Sequence, residues 1–205
     1  MQIEKIYYPV VSLGPGQRVG IWTTGCLRAC PGCSNPELWA PDGSRDIPVK
    51  EVLNIIHSIQ GNVDGFTITG GEPFLQKRDL LELVSLLKQI STDILVYTGF
   101  GMGELLAMPE PYVAGVLESI AVIVDGPYVD KLNDGSALRG SSNQQVHILS
   151  DIHEKKYLEY LQQPRTIQNI IAGGTAISIG LPLKGDRQRI HDGLAERGVV
   201  LNRKA

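Results

Sequence analysis

Three cysteines stand within eight residues, Cys26-Leu-Arg-Ala-Cys30-Pro-Gly-Cys33, and the 205-residue chain has no others. Thiolates at C-x3-C-x2-C spacing are soft ligands, suited to iron–sulfur clusters or zinc. A cuboid iron–sulfur cluster normally takes four cysteines. Three would hold three corners and leave one iron open to a substrate or second cofactor. Competing readings have weaknesses. A disulfide framework pairs cysteines evenly, and three is odd. Structural zinc wants four Cys or His ligands, and the nearest downstream histidine, His57, falls within an amphipathic pattern. Inert buried thiols rarely cluster this way.

The flanks suit a bulky ligand. Val19-Gly-Ile-Trp-Thr23 reads as a short apolar strand running into Thr24-Gly25-Cys26. Gly25, Pro31 and Gly32 permit tight turns around the cysteines. A second constellation follows. Gly65-Phe-Thr-Ile-Thr69 alternates as a half-buried strand, and Gly70-Gly71-Glu72-Pro73 comes next. A strand, this tetrapeptide and a helix place backbone polar groups and one carboxylate at a strand's C-terminal end, where α/β folds bind ligands. An ordinary glycine-rich turn is the plainer reading of that tetrapeptide alone.

Together the two motifs resemble the radical S-adenosylmethionine (SAM) enzymes. The resemblance implies a 4Fe-4S cluster on Cys26, Cys30 and Cys33, whose open iron chelates SAM. It further implies that Gly70, Gly71, Glu72 and Pro73 meet the methionine amino group. One electron from the reduced cluster would cleave SAM to methionine and a 5′-deoxyadenosyl radical. Many members carry an aromatic residue just before the third cysteine, against adenine. Gly32 stands there, which shifts adenine recognition to later strands, at Tyr97, which either stacks on adenine or simply packs, or at Val146-His147-Ile148.

The elements that must position these residues alternate strand and helix. Helices are expected at about 48–60 (Val49, Val52, Leu53, Ile56, Ile59), about 77–90 (Leu80, Leu83, Val84, Leu87), near Gly103, at about 112–119, about 151–163 and from Asp186 to Arg197 with Gly198 as cap. Strands are expected at Ile94–Thr98 and Ala121–Asp125. Thr166–Ile171 and Thr175–Ile179 read as a hairpin around Gly173-Gly174. This rhythm predicts an α/β fold with a parallel sheet. The strands are too few for eight units, so a partial, open β/α barrel with a C-terminal hairpin and helix is expected. Residues 1–150 form the core and 151–205 an appendage of the same domain.

Cys26, Gly70, Tyr97, Thr98 and Asp125 all fall at strand C-terminal ends, where a shared mouth would lie. Asp125 is the candidate for a ribose hydroxyl or the SAM amino group, or else a turn former before Gly126-Pro127. Thr98 is a candidate cofactor contact. Arg139, in a long loop from Tyr128 to Gln145, reaches the SAM carboxylate or a partner, or is a solvated surface arginine.

That loop narrows the resemblance. Asp125-Gly-Pro-Tyr-Val129, Leu132-Asn-Asp-Gly135 and Leu138-Arg-Gly-Ser-Ser-Asn-Gln144, with Gly14-Pro-Gly-Gln-Arg18, are similar to the activating proteins of anaerobic ribonucleotide reductase. The resemblance runs over roughly residues 5–149. It implies a glycyl radical enzyme as partner, most directly anaerobic ribonucleotide reductase, and a flavodoxin- or ferredoxin-type reductant. A radical SAM enzyme of a small molecule or peptide, and an iron–sulfur electron-transfer module, stay open. Gly70-Gly-Glu-Pro73 argues against the module, since electron transfer needs no SAM pocket.

Composition bounds the rest. The 42% hydrophobic and 20% charged shares are those of a globular chain able to bury a core. A net charge of −3 leaves no basic patch that demands nucleic acid. The polar start, Met1-Gln-Ile-Glu-Lys5, is unlike a signal peptide, and no apolar run suits a membrane span. Thiols kept reduced to ligate iron fit the cytoplasm.

Overall fold

The computed structural model describes residues 1–172 and 175–196. Eight strands and six α-helices follow in the order β1 (Ile3–Val10), β2 (Arg18–Thr23), α1 (Val49–His57), β3 (Gly65–Gly70), α2 (Lys77–Leu87), β4 (Ile94–Tyr97), α3 (Met102–Leu106), α4 (Pro111–Ser119), β5 (Val122–Asp125), β6 (Gln145–Ile148), α5 (Asp151–Leu161), β7 (Ile167–Ala172), β8 (Thr175–Gly180) and α6 (Asp186–Ala195). The first six strands form one sheet in chain order. Strands β2 to β5 run parallel, and β1 and β6 close the two edges antiparallel. Among the described residues nothing pairs β1 with β6, so the sheet does not close. The fold is α/β with a mostly parallel sheet.

Apolar alternation along the central strands decides which face packs on what. Ile94 and Val96 of β4 and Ile123 of β5 join a core with Val52, Ile56, Leu80, Leu83, Leu87 and Val116 of the crossover helices. Leu95, Val122 and Val124 point the other way, against Tyr157 of α5 and Leu138. In α2, Leu80, Leu83, Val84 and Leu87 recur at helical spacing and are all fully buried. Each contributes roughly 1.5–3 kcal/mol by burial.

Two strands depart from the expectation. Val19–Thr23 lies in β2, and β1, a strand not expected from the sequence, precedes it as an edge strand. Its pairing slips between Ile3 and Lys5 and again between Tyr7 and Val10, and Pro9 sits where an edge tolerates proline. Such a bulged strand has no clean alternation to read. The long loop after Tyr128 holds a 3-10 turn at Asp130–Leu132 and ends in the four-residue β6.

After α5 come a two-stranded sheet of β7 and β8 and then α6. The expected turn glycines Gly173 and Gly174 lie outside the described residues, as do Arg197 and the cap Gly198.

A buried ionic hub fixes the end of the sheet opposite the cysteines. Arg18 is fully buried, and all five of its N–H donors are used. They reach Thr67 Oγ1 at 2.7 Å, Pro15 O at 3.2 Å, Phe66 O at 2.5 Å and both the carbonyl and carboxylate of Asp93 at 3.1 Å. The Asp93 carboxylate also accepts from Lys156 Nζ at 2.5 Å and Tyr157 Oη at 2.6 Å. Burial pushes the Asp93 carboxyl up, but Arg18, Lys156 and Tyr157 outweigh it and hold it below the usual carboxylate range. The hub ties β2, β3 and α5 together from beneath the site.

Candidate functional site

The cysteine loop is built by backbone pairing. Gly25 N–H donates to Leu38 O at 2.9 Å and Cys26 N–H to Trp39 O at 2.8 Å, so residues 25–39 close on themselves. Within that ring Cys33 N–H donates to Cys30 O at 3.0 Å, and Asn35 N–H reaches Cys33 Sγ at 3.4 Å. Gly32 takes a left-handed φ of 80°, and a Cβ there would lie 3.2 Å from the Asp130 side chain. An aromatic residue in its place would meet both obstacles.

Gly70-Gly71-Glu72-Pro73 clamps this loop. Gly71 N–H donates to Thr23 O at 2.7 Å and Glu72 N–H to Gly25 O at 2.8 Å. A Cβ on Gly70 would stand 2.4 Å from Thr23 N, and one on Gly71 would stand 2.4 Å from Gly25 O. Those obstacles are main-chain atoms that cannot swing away, so the close approach requires glycine. Pro73 is buried and opens a 3-10 turn at Pro73–Gln76.

Glu72 is 1% exposed and points into the space between β3 and β4. Its Oε1 accepts from Phe74 N–H at 3.0 Å and Thr98 Oγ1 at 2.8 Å, and its Oε2 from Gly99 N–H at 2.6 Å. Burial raises its pKa, and the three donors only partly oppose this. Thr98 Oγ1 in turn accepts from Phe100 N–H at 3.1 Å. One carboxylate thus organises the turn after β4.

These groups meet in one open cleft. Cys26, Cys30, Cys33, Gly70, Gly71, Glu72, Tyr97 and Thr98 all line it. The three cysteines are half-buried. Burial raises the Cys26 thiol pKa, as does the nearby Glu72 charge, while the main chain at Arg28 and Ala29 lowers it. Among the described residues no three Cys, His, Asp or Glu side chains converge tightly enough for one metal ion. A single tetrahedral zinc draws its ligands to about 2.3 Å, whereas a cuboid cluster takes each thiolate on its own iron. Three soft thiolate donors lining one cleft are the ligand chemistry that such a cluster takes.

Two candidates lie elsewhere. The Asp125 carboxylate accepts from Met102 N–H at 2.6 Å and Gln145 N–H at 3.1 Å, joining β5 to α3 and β6 outside the cleft lining. Arg139 pairs with Asp134 at 2.6 Å, and its carbonyl accepts from Arg165. It too stands outside the lining.

Sequence reasoning passed over Arg28, Trp39, Tyr128 and Gln144, all of which line the cleft. Arg28 lies between two cysteines, lays its guanidinium 4.4 Å from the Phe100 ring and pairs with Glu104 at 2.7 Å. Its place inside the motif was the available signal. Gln144 holds the loop closed, accepting from Gly140 N–H and donating to Gly126 O, each at 2.8 Å. Trp39 Nε1 and Tyr97 Oη are buried polar atoms with no protein partner. Buried donors are almost always satisfied by protein, water or ligand, and both residues line the cleft.

Comparison with known proteins agrees with this geometry. The sequence model of a family described as a 4Fe-4S single cluster domain matches residues 12–147, which sets the class as single-cluster iron–sulfur protein. An anaerobic ribonucleoside-triphosphate reductase-activating protein of Escherichia coli (strain K12) is 33% identical over 153 residues, covering 70% of this chain and 96% of the relative. Proteins of that name from Haemophilus influenzae and Enterobacteria phage T4 are 31% and 30% identical, over 69% and 71% of this chain and 94% and 93% of the relatives. The chain belongs to the anaerobic ribonucleoside-triphosphate reductase-activating protein family.

Proposed function

We infer that this chain is a radical SAM activase that reductively cleaves SAM at a 4Fe-4S cluster and generates a glycyl radical on a partner enzyme, an anaerobic ribonucleotide reductase. The observation that carries the reading is the convergence of three cysteines with Gly70, Gly71 and Glu72 in one cleft at the C-terminal ends of parallel strands, with Pro73 buried just behind them. The open sheet is then the partial barrel of that enzyme class, with residues 1–150 as core and 151–205 as appendage.

When bound, the reduced cluster supplies the electron that splits the sulfonium C–S bond, and the protein's part is positioning and exclusion. Cys26, Cys30 and Cys33 would hold the cluster. Gly70 and Gly71 bring main-chain groups of β3 against the cysteine loop, and Glu72, through Thr98 and Gly99, fixes the floor under the methionine end. Tyr97 Oη and Trp39 Nε1 supply donors to bound ligand. Asp125 and Arg139 act at one remove, holding the β5–β6 corner and the 128–144 loop. A radical generated from SAM there would take the Cα hydrogen of the partner's glycine and leave the unpaired electron on that glycine.

A flavodoxin- or ferredoxin-type donor would supply the electron, and thiols that must stay reduced favour a cytoplasmic setting. No helix among the described residues is long and apolar enough to cross a membrane. The test is anaerobic reconstitution followed by strong reductant and SAM. Methionine and 5′-deoxyadenosine should appear in equal amounts, and Cys30→Ala should abolish both. A fully iron-loaded protein that leaves SAM intact would overturn the reading.

A further inference from the structure

The cleft does not end at the cysteines. A second groove adjoins it, with Ser34, Asn35, Thr69, Tyr97 and Leu181 lining both. Its far wall is β8 and the residue after it: Ile177, Ser178, Ile179, Gly180 and Leu181 in unbroken succession. Side chains of a strand alternate between two faces, so a ligand on one face touches every second residue. A run of five consecutive residues means that the groove follows the strand's edge. That edge is open, because β8 pairs only with β7 among the described residues.

The wall is held in place. Ser12 Oγ donates to Ile179 O at 2.8 Å, and Gln168 of β7 bridges Pro9 O at 2.8 Å and Val11 N–H at 3.1 Å. Ile179 is buried with Val10, Leu13, Trp22 and Leu38. On the other side Asn133 Nδ2 donates to Pro182 O at 3.0 Å, and Arg165 Nη1 donates to Asn133 Oδ1 at 2.8 Å. The appendage therefore links residues 9–13, beside one edge of the open sheet, to the loop before the other edge. All of β7 and β8 lies outside the family match at residues 12–147.

We propose that the groove along β8 binds an extended, glycine-bearing segment of the partner enzyme and delivers its glycine to the cysteine-lined cleft. The proposal rests on the activase reading above. The four intervals between these five residues, at roughly 3.3 Å each, give a wall of roughly 13 Å, enough for about four residues of extended chain. Continuity argues for this occupant, since a segment lying along β8 passes Leu181 and Tyr97 directly into the cleft. An extended backbone beside a free strand edge is a recurrent mode of peptide recognition. Because Ser12 occupies Ile179 O, side chains grip the segment there and a complete hydrogen-bond ladder does not form.

The test uses anaerobically reconstituted holoenzyme and a short synthetic peptide carrying the glycine sequence of an anaerobic ribonucleotide reductase. Ser178 is exposed and Ile177 half-buried, so Ser178→Arg and Ile177→Glu obstruct the groove from its wall. Partner-free SAM cleavage should stay unchanged in both, while peptide affinity falls about tenfold, as for loss of one well-placed interface contact. Unchanged peptide affinity in a variant that melts like the parent would overturn the proposal. A photocrosslinking side chain at position 178 provides the check if a variant is unstable: it should capture the peptide beside its glycine, and capture at another site would overturn the groove assignment. Failure of the activase reading looks different, since the parent itself would then cleave SAM without giving any partner a radical.

Discussion

Replacing Glu72 by glutamine tests how the cleft floor is held. The carboxylate accepts three hydrogen bonds from two sides, Phe74 N–H and Thr98 Oγ1 on one oxygen and Gly99 N–H on the other. An amide has one oxygen. Turned toward Phe74, it sets its NH2 against Gly99 N–H, donor against donor at a 2.6 Å site. Turned toward Gly99, it orphans Phe74 N–H, while Thr98 can reverse its hydroxyl. Either way one buried backbone donor loses its partner, which costs about 1–3 kcal/mol. Burial disfavours the Glu72 charge, so the neutral amide recovers part of that. A net loss of about 1–2 kcal/mol is expected, or roughly 2–8 °C in melting temperature for a chain of this size. Urea denaturation of the cluster-free protein at neutral pH measures it, and SAM affinity of the holoenzyme should fall in parallel. A Glu72→Gln protein as stable as the parent would refute the argument that this carboxylate organises the turn after β4.

Gly71→Ala places a methyl group 2.4 Å from Gly25 O, a main-chain atom that must move; a stability loss of about 1–3 kcal/mol and poor iron retention are expected, and full iron loading would contradict the clamp. Asp93→Asn leaves the buried Arg18 uncompensated and should cost about 3–5 kcal/mol at neutral pH. Because Asp93 titrates below its unfolded value of about 3.9, its contribution is complete above that pH and is lost as pH falls through the folded pKa. The gap between parent and variant should therefore close in acid; a gap constant down to pH ~2 would show that the Asp93 charge is not what is lost. Arg28→Ala, removing the Phe100 and Glu104 contacts at the cleft rim, should leave iron content unchanged and weaken SAM binding, measured by equilibrium dialysis.

Much of the site was legible because its chemistry is local. Cys26 to Cys33 and Gly70 to Pro73 are contiguous runs, and the strands that carry them have plain apolar patterns. The helices were readable for a similar reason, since Leu80, Leu83, Val84 and Leu87 recur at one helical face. What sequence could not supply is pairing at a distance. Arg18 reads as an ordinary cation until Asp93, 75 residues away, meets it in the core. Asp125 and Arg139 look available at strand and loop ends, yet backbone donors and Asp134 occupy them. Edge strand β1, bulged twice, carried no periodic signal at all. Trp39 stood outside the cysteine motif, and only the folded loop brings it over the cleft.

The most direct test of the central claim is electron paramagnetic resonance of an anaerobic mixture of the reconstituted protein, SAM, reductant and an anaerobic ribonucleotide reductase. The account predicts a glycyl radical doublet on the reductase that disappears when any of Cys26, Cys30 or Cys33 is replaced by alanine. SAM cleavage at full rate with no radical on the reductase would contradict it.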